Sequence, residues 1–192
     1  TKSDYDGSST KEKGYVSNNK MYSVQTGLEQ KSQNSDSNII FHYHNYDREY
    51  DNDGYLDEYY SESIVLRGEK NFNTNNKFSL GYGGEYKYDW GAFENRGSYS
   101  ASTKGHMKNA GAFANFGLKL SEDKTLSLYG RFDDHNTTDL NSTYKINFTQ
   151  LFNNFQIGGT HSTGLRNPSL YELYGSDNYG IKGNTDLDPE KS

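Results

Sequence analysis

Apolar and polar side chains alternate with a period of two along most of the chain. The clearest run has Phe78, Leu80, Tyr82, Gly84, Tyr86, Tyr88 and Trp90 on one parity and Ser79, Gly81, Gly83, Glu85, Lys87 and Asp89 on the other. Successive side chains of a strand point to opposite faces, so this run predicts a β-strand with one apolar and one polar face. The same pattern sets Tyr22, Val24, Thr26 and Leu28 against Ser23, Gln25, Gly27 and Glu29, and Ile39, Phe41 and Tyr43 against Ile40, His42 and His44. It recurs less cleanly around residues 59–70, and again around 109–120, 124–134, 144–148 and 155–159. No apolar stripe with the period of about 3.6 that marks a helix persists over three turns. The pattern therefore predicts an all-β chain of about eight strands, each of roughly ten residues, the length a tilted strand needs to cross a bilayer.

The links between these strands fall into two classes. Those at 33–36, 73–76, 121–123 and 153–154 are short and built mostly from Asn, Ser, Asp and Thr, residues common in turns. Those at about 48–57, 91–107, 135–141 and 165–185 are longer. Strict alternation in an antiparallel up-and-down meander puts all short turns at one end and all long loops at the other, as in a transmembrane β-barrel of the outer-membrane type. A soluble or cell-surface all-β binding module with one solvated face also gives alternation, and remains the second reading. Tyr86, Tyr88 and Trp90 suit an interfacial aromatic girdle, or aromatic cross-strand pairs in a soluble sheet.

Composition sharpens this choice. Only 31% of the 192 residues are hydrophobic and the mean hydropathy is -1.08, which suggests a solvated chain, yet 15% are aromatic, including 18 Tyr and 10 Phe. Disordered segments are poor in such rings. A wall that is apolar on one face and polar on the other reconciles the two numbers. The absence of cysteine excludes disulfide scaffolds, thiolate metal sites and thiol nucleophiles. With a net charge of -6 and scattered Lys and Arg, no basic patch points to nucleic acid. The start at Thr1 and the stop at Ser192, on the approach to another strand, lead us to expect a piece of a larger protein.

Residues 164–192 carry two linked elements that hold both prolines of the chain: Gly164, Leu165, Arg166, Pro168, Leu170, Glu172, Leu173 and Tyr174, then Gly183, Asn184, Leu187, Pro189, Glu190 and Ser192. They resemble the barrel domain of TonB-dependent outer-membrane receptors. There a strand ends in G-[FY]-[RK]-x-P-x-L-x-[EQ]-L-[YF], and after a loop G-N-x-x-L-x-P-E-x-S opens the next strand. Leu165 stands where an aromatic is usual and Thr185 where proline is frequent. The stretch LSLYGRFDDH at 126–135 looks like a strand end of the vitamin B12 (cobalamin) receptor branch. NYDREYDNDGYLDE at 45–58 is similar to that branch's calcium-binding loop, through Asn45-Tyr46-Asp47 and Leu56-Asp57-Glu58.

The resemblance implies that 1–192 is part of one barrel domain, with the luminal plug and the remaining strands lying outside it. It implies a receptor and transporter in the bacterial outer membrane rather than an enzyme, since no bond is broken. Its partners would be a metal chelate, either cobalamin or a siderophore, a TonB-type periplasmic energy-coupling protein reached through the plug, and outer-membrane lipid.

The best local chemistry is the acidic cluster Asp47, Glu49, Asp51, Asp53, Asp57 and Glu58, because calcium takes six to eight oxygen ligands. Asp47, Asp51, Asp53 and Asp57 are the expected calcium ligands, with Asp4 and Asp6 as possible additions; a solvated acidic loop is the alternative. It is not an EF-hand, since a loop placed by Gly54 would have Tyr60 at its twelfth position. Loop position nominates Tyr50, Tyr55, Trp90, Tyr174 and Tyr179 as ligand-contacting rings, or equally as girdle and loop packing. His42 and His44 share a strand face, at a spacing open to metal but expected of polar lumen positions. Asp133, Asp134 and His135 come with no nucleophile that would make them catalytic.

Overall fold

The computed structural model describes residues 2–4, 16–52, 54–73, 77–97, 100–177 and 179–192. Nine strands form one sheet in chain order: β1 (Lys2–Asp4), β2 (Val16–Lys31), β3 (Ser35–Asn52), β4 (Tyr55–Asn73), β5 (Phe78–Arg96), β6 (Ala101–Ser121), β7 (Lys124–His135), β8 (Asp139–Leu151) and β9 (Gln156–Ser162). Each pairs antiparallel with its predecessor, so the sheet is an up-and-down meander. A one-turn helix α1 (Leu170–Tyr174) and a small ladder of β10 (Leu165–Arg166) with β11 (Glu190–Lys191) follow. The eight expected strands correspond to β2–β9.

Cross-strand register carries the period-two pattern across the sheet. Tyr82, Ala114 and Gly130 stand side by side, as do Leu80, Phe116 and Leu128, and Leu66 faces Tyr86. Across this band one face is thus continuously apolar and the other mainly polar. Burial on these faces inverts that of a water-soluble domain. Leu66 is 50% exposed and Phe132 60%, whereas Asp89 is 7% and Asp133 8% exposed on the polar face. Leaving a Leu or Phe side chain in water forgoes about 1.5–3 kcal/mol each, so an exposed sheet of them calls for an apolar solvent. On β5 the apolar band runs from Phe78 to Tyr88. Ten steps of about 3.4 Å, tilted by about 45°, span about 24 Å, which matches the apolar belt of an outer-membrane barrel.

The strands are longer than the sequence pattern predicts. β2–β6 have 16–21 residues, and the links expected as loops at 48–57 and 91–107 are largely taken up by the paired strands β3 with β4 and β5 with β6. Beyond the apolar band both faces become polar, so the alternation fades while backbone pairing continues. The expected asymmetry between the two ends survives as strand extension rather than as loop length. Among the described residues, only the connection after β9 is a true long loop.

Replacing Leu128 by Arg should destabilise the complete receptor in lipid vesicles by about 2–4 kcal/mol if the position lies near mid-bilayer. Leu128→Met should cost less than about 1.5 kcal/mol. Urea unfolding in vesicles measures both.

Candidate functional site

The segment after β9 builds itself from local rules. Ser169 caps α1: its hydroxyl accepts the Glu172 N–H at 3.3 Å, and the Glu172 carboxylate accepts the Ser169 N–H at 2.7 Å. This reciprocal box satisfies two N–H groups that a helix start leaves orphaned. Arg166 then bridges the segment's two ends, donating at 2.7 Å to Glu172 and at 2.7 Å to Glu190. Gly164 and Ser192 exchange backbone hydrogen bonds, the Gly183 N–H donates to the Gly175 carbonyl at 2.7 Å, and the Asn184 N–H donates to the Glu172 carbonyl at 2.8 Å. Gly183 packs so closely that a Cβ there would stand 2.5 Å from the backbone of Leu173 and Tyr174. Pro168 and Leu173 are buried, and Leu187 and Pro189 lie on the return toward β11. The two elements of the sequence motif are therefore one clamp that holds the loop, and one of its residues, Leu170, also walls the cleft beneath it.

The clamp lays α1 on the polar face of β4–β6, at the end where the hairpins extend. The Thr103 hydroxyl donates to the Tyr174 carbonyl, and the Tyr174 ring lies flat over Gly105, where any side chain would enter the ring. The Ser176 hydroxyl donates to Asn95 at 3.1 Å, with both residues buried. Tyr171 meets Tyr59 and Phe93 edge-on at centroid distances of 5.8 and 5.7 Å, and those two rings pack at 5.9 Å.

Under this roof is a cleft of about 420 Å³ with Tyr46, Arg48, Tyr59, Phe93, Leu170 and Tyr171 among its walls. The Arg48 guanidinium lies 5.7 Å from the Tyr50 ring and 5.8 Å from the Tyr59 ring. It makes no salt bridge among the described residues, and its buried Nε–H has no hydrogen-bond partner among them. A buried donor left unpaired carries a desolvation penalty of about 1–3 kcal/mol, which an incoming acceptor would relieve. Burial raises the pKa of both Tyr59 and Tyr171, with Asp57 the next cause for the first and Asp177 for the second. Both hydroxyls thus stay protonated and can donate. That of Tyr171 donates to Asp177 at 3.2 Å, and Asp177 also accepts the N–H groups of Tyr179 and Ile181. The cleft is cationic and aromatic, and suits an anionic ligand with flat rings.

The residues expected from sequence are distributed differently. Asp47 and Asp51 lie on the apolar parity of β3, opposite Tyr60 and Leu56, while Asp57 lies opposite Tyr50 on the polar face and is buried. Asp53 and Asp6 lie outside the described residues. The acidic stretch is a hairpin whose parity separates the carboxylates, and among the described residues no three His, Cys, Asp or Glu side chains gather as metal ligands. The described residues do not fit a calcium ion.

Of the nominated rings, Tyr50 stands beside Arg48 at the cleft, Tyr55 opens β4 at the hairpin tip, and Tyr179 is exposed on the loop. Tyr174 is an anchor of the roof. Trp90 lies on the apolar parity, edge-on to Tyr60 at 5.4 Å, away from the cleft and in girdle position. His42 and His44 are on the polar face, with His42 hydrogen-bonded to Ser23 at 2.9 Å. Asp133 and Asp134 point to opposite faces. The sequence reasoning missed Arg48, Tyr59, Phe93 and Tyr171. Parity could have found the first three, since Arg48 shares the face of His42 and His44, and Phe93 that of Asp89.

At the level of the apolar band the polar face carries a closed network. Arg131 donates to Glu85 at 2.9 Å and to Asp133 at 2.6 Å, and Arg67 pairs with Glu69 at 2.9 Å and Glu85 at 3.5 Å. Phe113 lies between the two guanidinium groups, at 4.6 and 5.8 Å. Every one of these charges is paired, in contrast to Arg48.

A family model described as TonB dependent receptor-like, beta-barrel, matches residues 1–192. The fold is similar to that of the siderophore receptor PirA from Acinetobacter baumannii, with 15% sequence identity and a TM-score of 0.59 over 92% of this chain and 40% of that one. It is also similar to that of the siderophore receptor PirA from Pseudomonas aeruginosa, with 17% identity and a TM-score of 0.68 over 94% of this chain and 38% of that one. No curated protein sequence matches. The chain spans about two fifths of each of these receptors. At such identities the likeness speaks for the fold.

The Ser169 N–H, and after it Arg166, hold the Glu172 carboxyl down at a pKa of about 2, from an ordinary 4.5. A depressed carboxyl stabilises its loop above the ordinary value and stops doing so as pH falls through the lowered one. The near-UV circular dichroism of the Tyr59–Phe93–Tyr171 cluster in the complete receptor should hold steady down to pH of about 4.5 and decline toward pH of about 2. In Glu172→Gln that component of the decline should be missing.

Proposed function

The chain belongs to the TonB dependent receptor-like β-barrel family, and from that premise we propose that it supplies wall and loops of a bacterial outer-membrane receptor that imports a ferric siderophore. The apolar face meets lipid and the polar face lines the lumen. The extended hairpins and the α1 loop stand on the outside, because short turns face the periplasm in such barrels. A ligand arriving from outside meets the cleft under α1 first. Energy comes from a TonB-type periplasmic partner acting through a plug that the matched region does not include. The chelate passes intact, so the work is binding and release rather than bond chemistry.

The observation that carries this reading is Arg48: a guanidinium without a carboxylate partner among the described residues, set over two tyrosine rings in a cleft of aromatic side chains. A ferric catecholate complex is anionic and presents aromatic rings, so it would answer both features. Both structural neighbours are siderophore receptors by name. The cobalamin reading, first on sequence, drew on the stretches 126–135 and 45–58; the described carboxylates of the second do not converge, and calcium has no part in the proposal.

Binding of a ferric catecholate to the complete receptor, followed by isothermal calorimetry, tests this. Arg48→Ala should weaken binding about 5–30-fold, the loss of about 1–2 kcal/mol expected for a desolvated cation–π contact with its charge. Trp90→Ala should leave it unchanged. Tight binding of cobalamin with none of any ferric chelate, or an Arg48→Ala receptor that binds chelates like wild type, would overturn the proposal.

A further inference from the structure

Lys104, His106 and Lys108 occupy successive positions of one parity on β6, and that parity is the lipid-facing one. All three are exposed. The same face continues directly into Ala110, Ala112, Ala114 and Phe116, so the positive charges end where the apolar wall begins. Neither lysine has an ion pair among the described residues, although Lys20, Lys31 and Lys87 each have one. The nearest acidic side chains on this face are Asp134, in register with Ala110, and Glu94, in register with Ser102 and already bridged to Arg96 at 3.5 Å. The His106 ring stacks on Tyr88 at 6.1 Å.

A second feature lies immediately below. The alanine column forms the floor of a trough widened by Gly84 beside Ala112 and Gly130 beside Ala114. A Cβ added at Gly130 would meet nothing within 4 Å. Tyr82 and Tyr86 rise on the β5 side, Phe132 on the β7 side, and Phe116 closes the lower end. Six steps from Ala110 to Phe116, at about 3.4 Å each, make a channel about 20 Å long and one strand wide, the dimensions of an extended acyl chain. Lysines at the edge of an apolar belt extend their charge into the headgroup layer, where lipid phosphates lie.

We propose that this strip and trough together bind one anionic, phosphate-bearing lipid of the outer leaflet, its phosphate on Lys104 and Lys108 and one acyl chain along Ala110, Ala112 and Ala114. The proposal rests on the outer-membrane reading for its orientation and makes no use of the siderophore.

The complete receptor, stripped of lipid in non-ionic detergent and reloaded with a diphosphoryl glycolipid or with phosphatidylcholine, is weighed by native mass spectrometry. Wild type should retain the glycolipid at tenfold or greater preference over phosphatidylcholine. The pair Lys104→Gln and Lys108→Gln should abolish that preference, and Lys104→Arg with Lys108→Arg should keep it. Ala112→Trp fills the trough without touching a charge, and should also lose the lipid. Inorganic phosphate at millimolar concentration should not displace it. Equal retention by the Gln pair, no effect of Ala112→Trp, or displacement by phosphate alone would overturn the proposal. Chelate binding measured on the same variants is expected to be unchanged, so failure here is distinguishable from failure of the transport reading.

Discussion

Backbone hydrogen bonding between antiparallel neighbours is the constraint on which everything else in this structure depends. An unpaired N–H or C=O in hydrocarbon costs several kcal/mol, so a membrane wall built of strands must pair them along their length. From β2 to β9 the register runs on with one irregularity, between Lys119 and Ser121. Because side chains alternate, this register decides which face each of them joins, and a slip of one residue would put Glu85 and Arg131 on the apolar face and Leu80 and Phe116 on the polar one. The apolar band, the paired charges around Phe113 and the opposed Asp47 and Asp57 all follow from the same parity.

The same constraint explains why the clamp matters. A sheet face is flat and repetitive, and cannot by itself gather Arg48, Tyr59 and Phe93 into a cleft. The loop after β9 does so by returning across the polar face, and its fastening is local: a capping box, one arginine shared by two glutamates, and glycines where backbone and ring approach too closely for a side chain. What reads in the sequence as a family signature is thus the hardware that keeps a roof over the site. Of the cleft's walls, Tyr46, Arg48, Tyr59 and Phe93 belong to strands outside that signature, while Leu170 and Tyr171 come from α1 within it.

Much of this was legible before any coordinates. The alternation at 78–90 gave strand, face and parity together, and the motif pair at 164–174 and 183–192 pointed to the family. Strand ends were not legible, because past the membrane band the contrast between faces vanishes: Asn45, Asp47, Glu49 and Asp51 alternate with Tyr46, Arg48 and Tyr50, and neither set is apolar. The acidic stretch reads as a ligand cluster in sequence, and in the paired hairpin its described carboxylates divide between the two faces. In sequence Arg48 stands among carboxylates, which masks it as a site residue. In the fold its own face offers it rings instead.

The central claim is that β6 is a barrel wall with even positions toward lipid and odd positions toward the lumen. Since this sequence holds no cysteine, single cysteines at positions 110–115 of the complete receptor in vesicles can carry spin labels whose accessibility is read against oxygen in lipid and a nickel chelate in water. The account predicts strong oxygen contact at 110, 112 and 114 and weak oxygen contact at 111, 113 and 115. Uniform accessibility along the six positions, or nickel contact at the even ones, would contradict it.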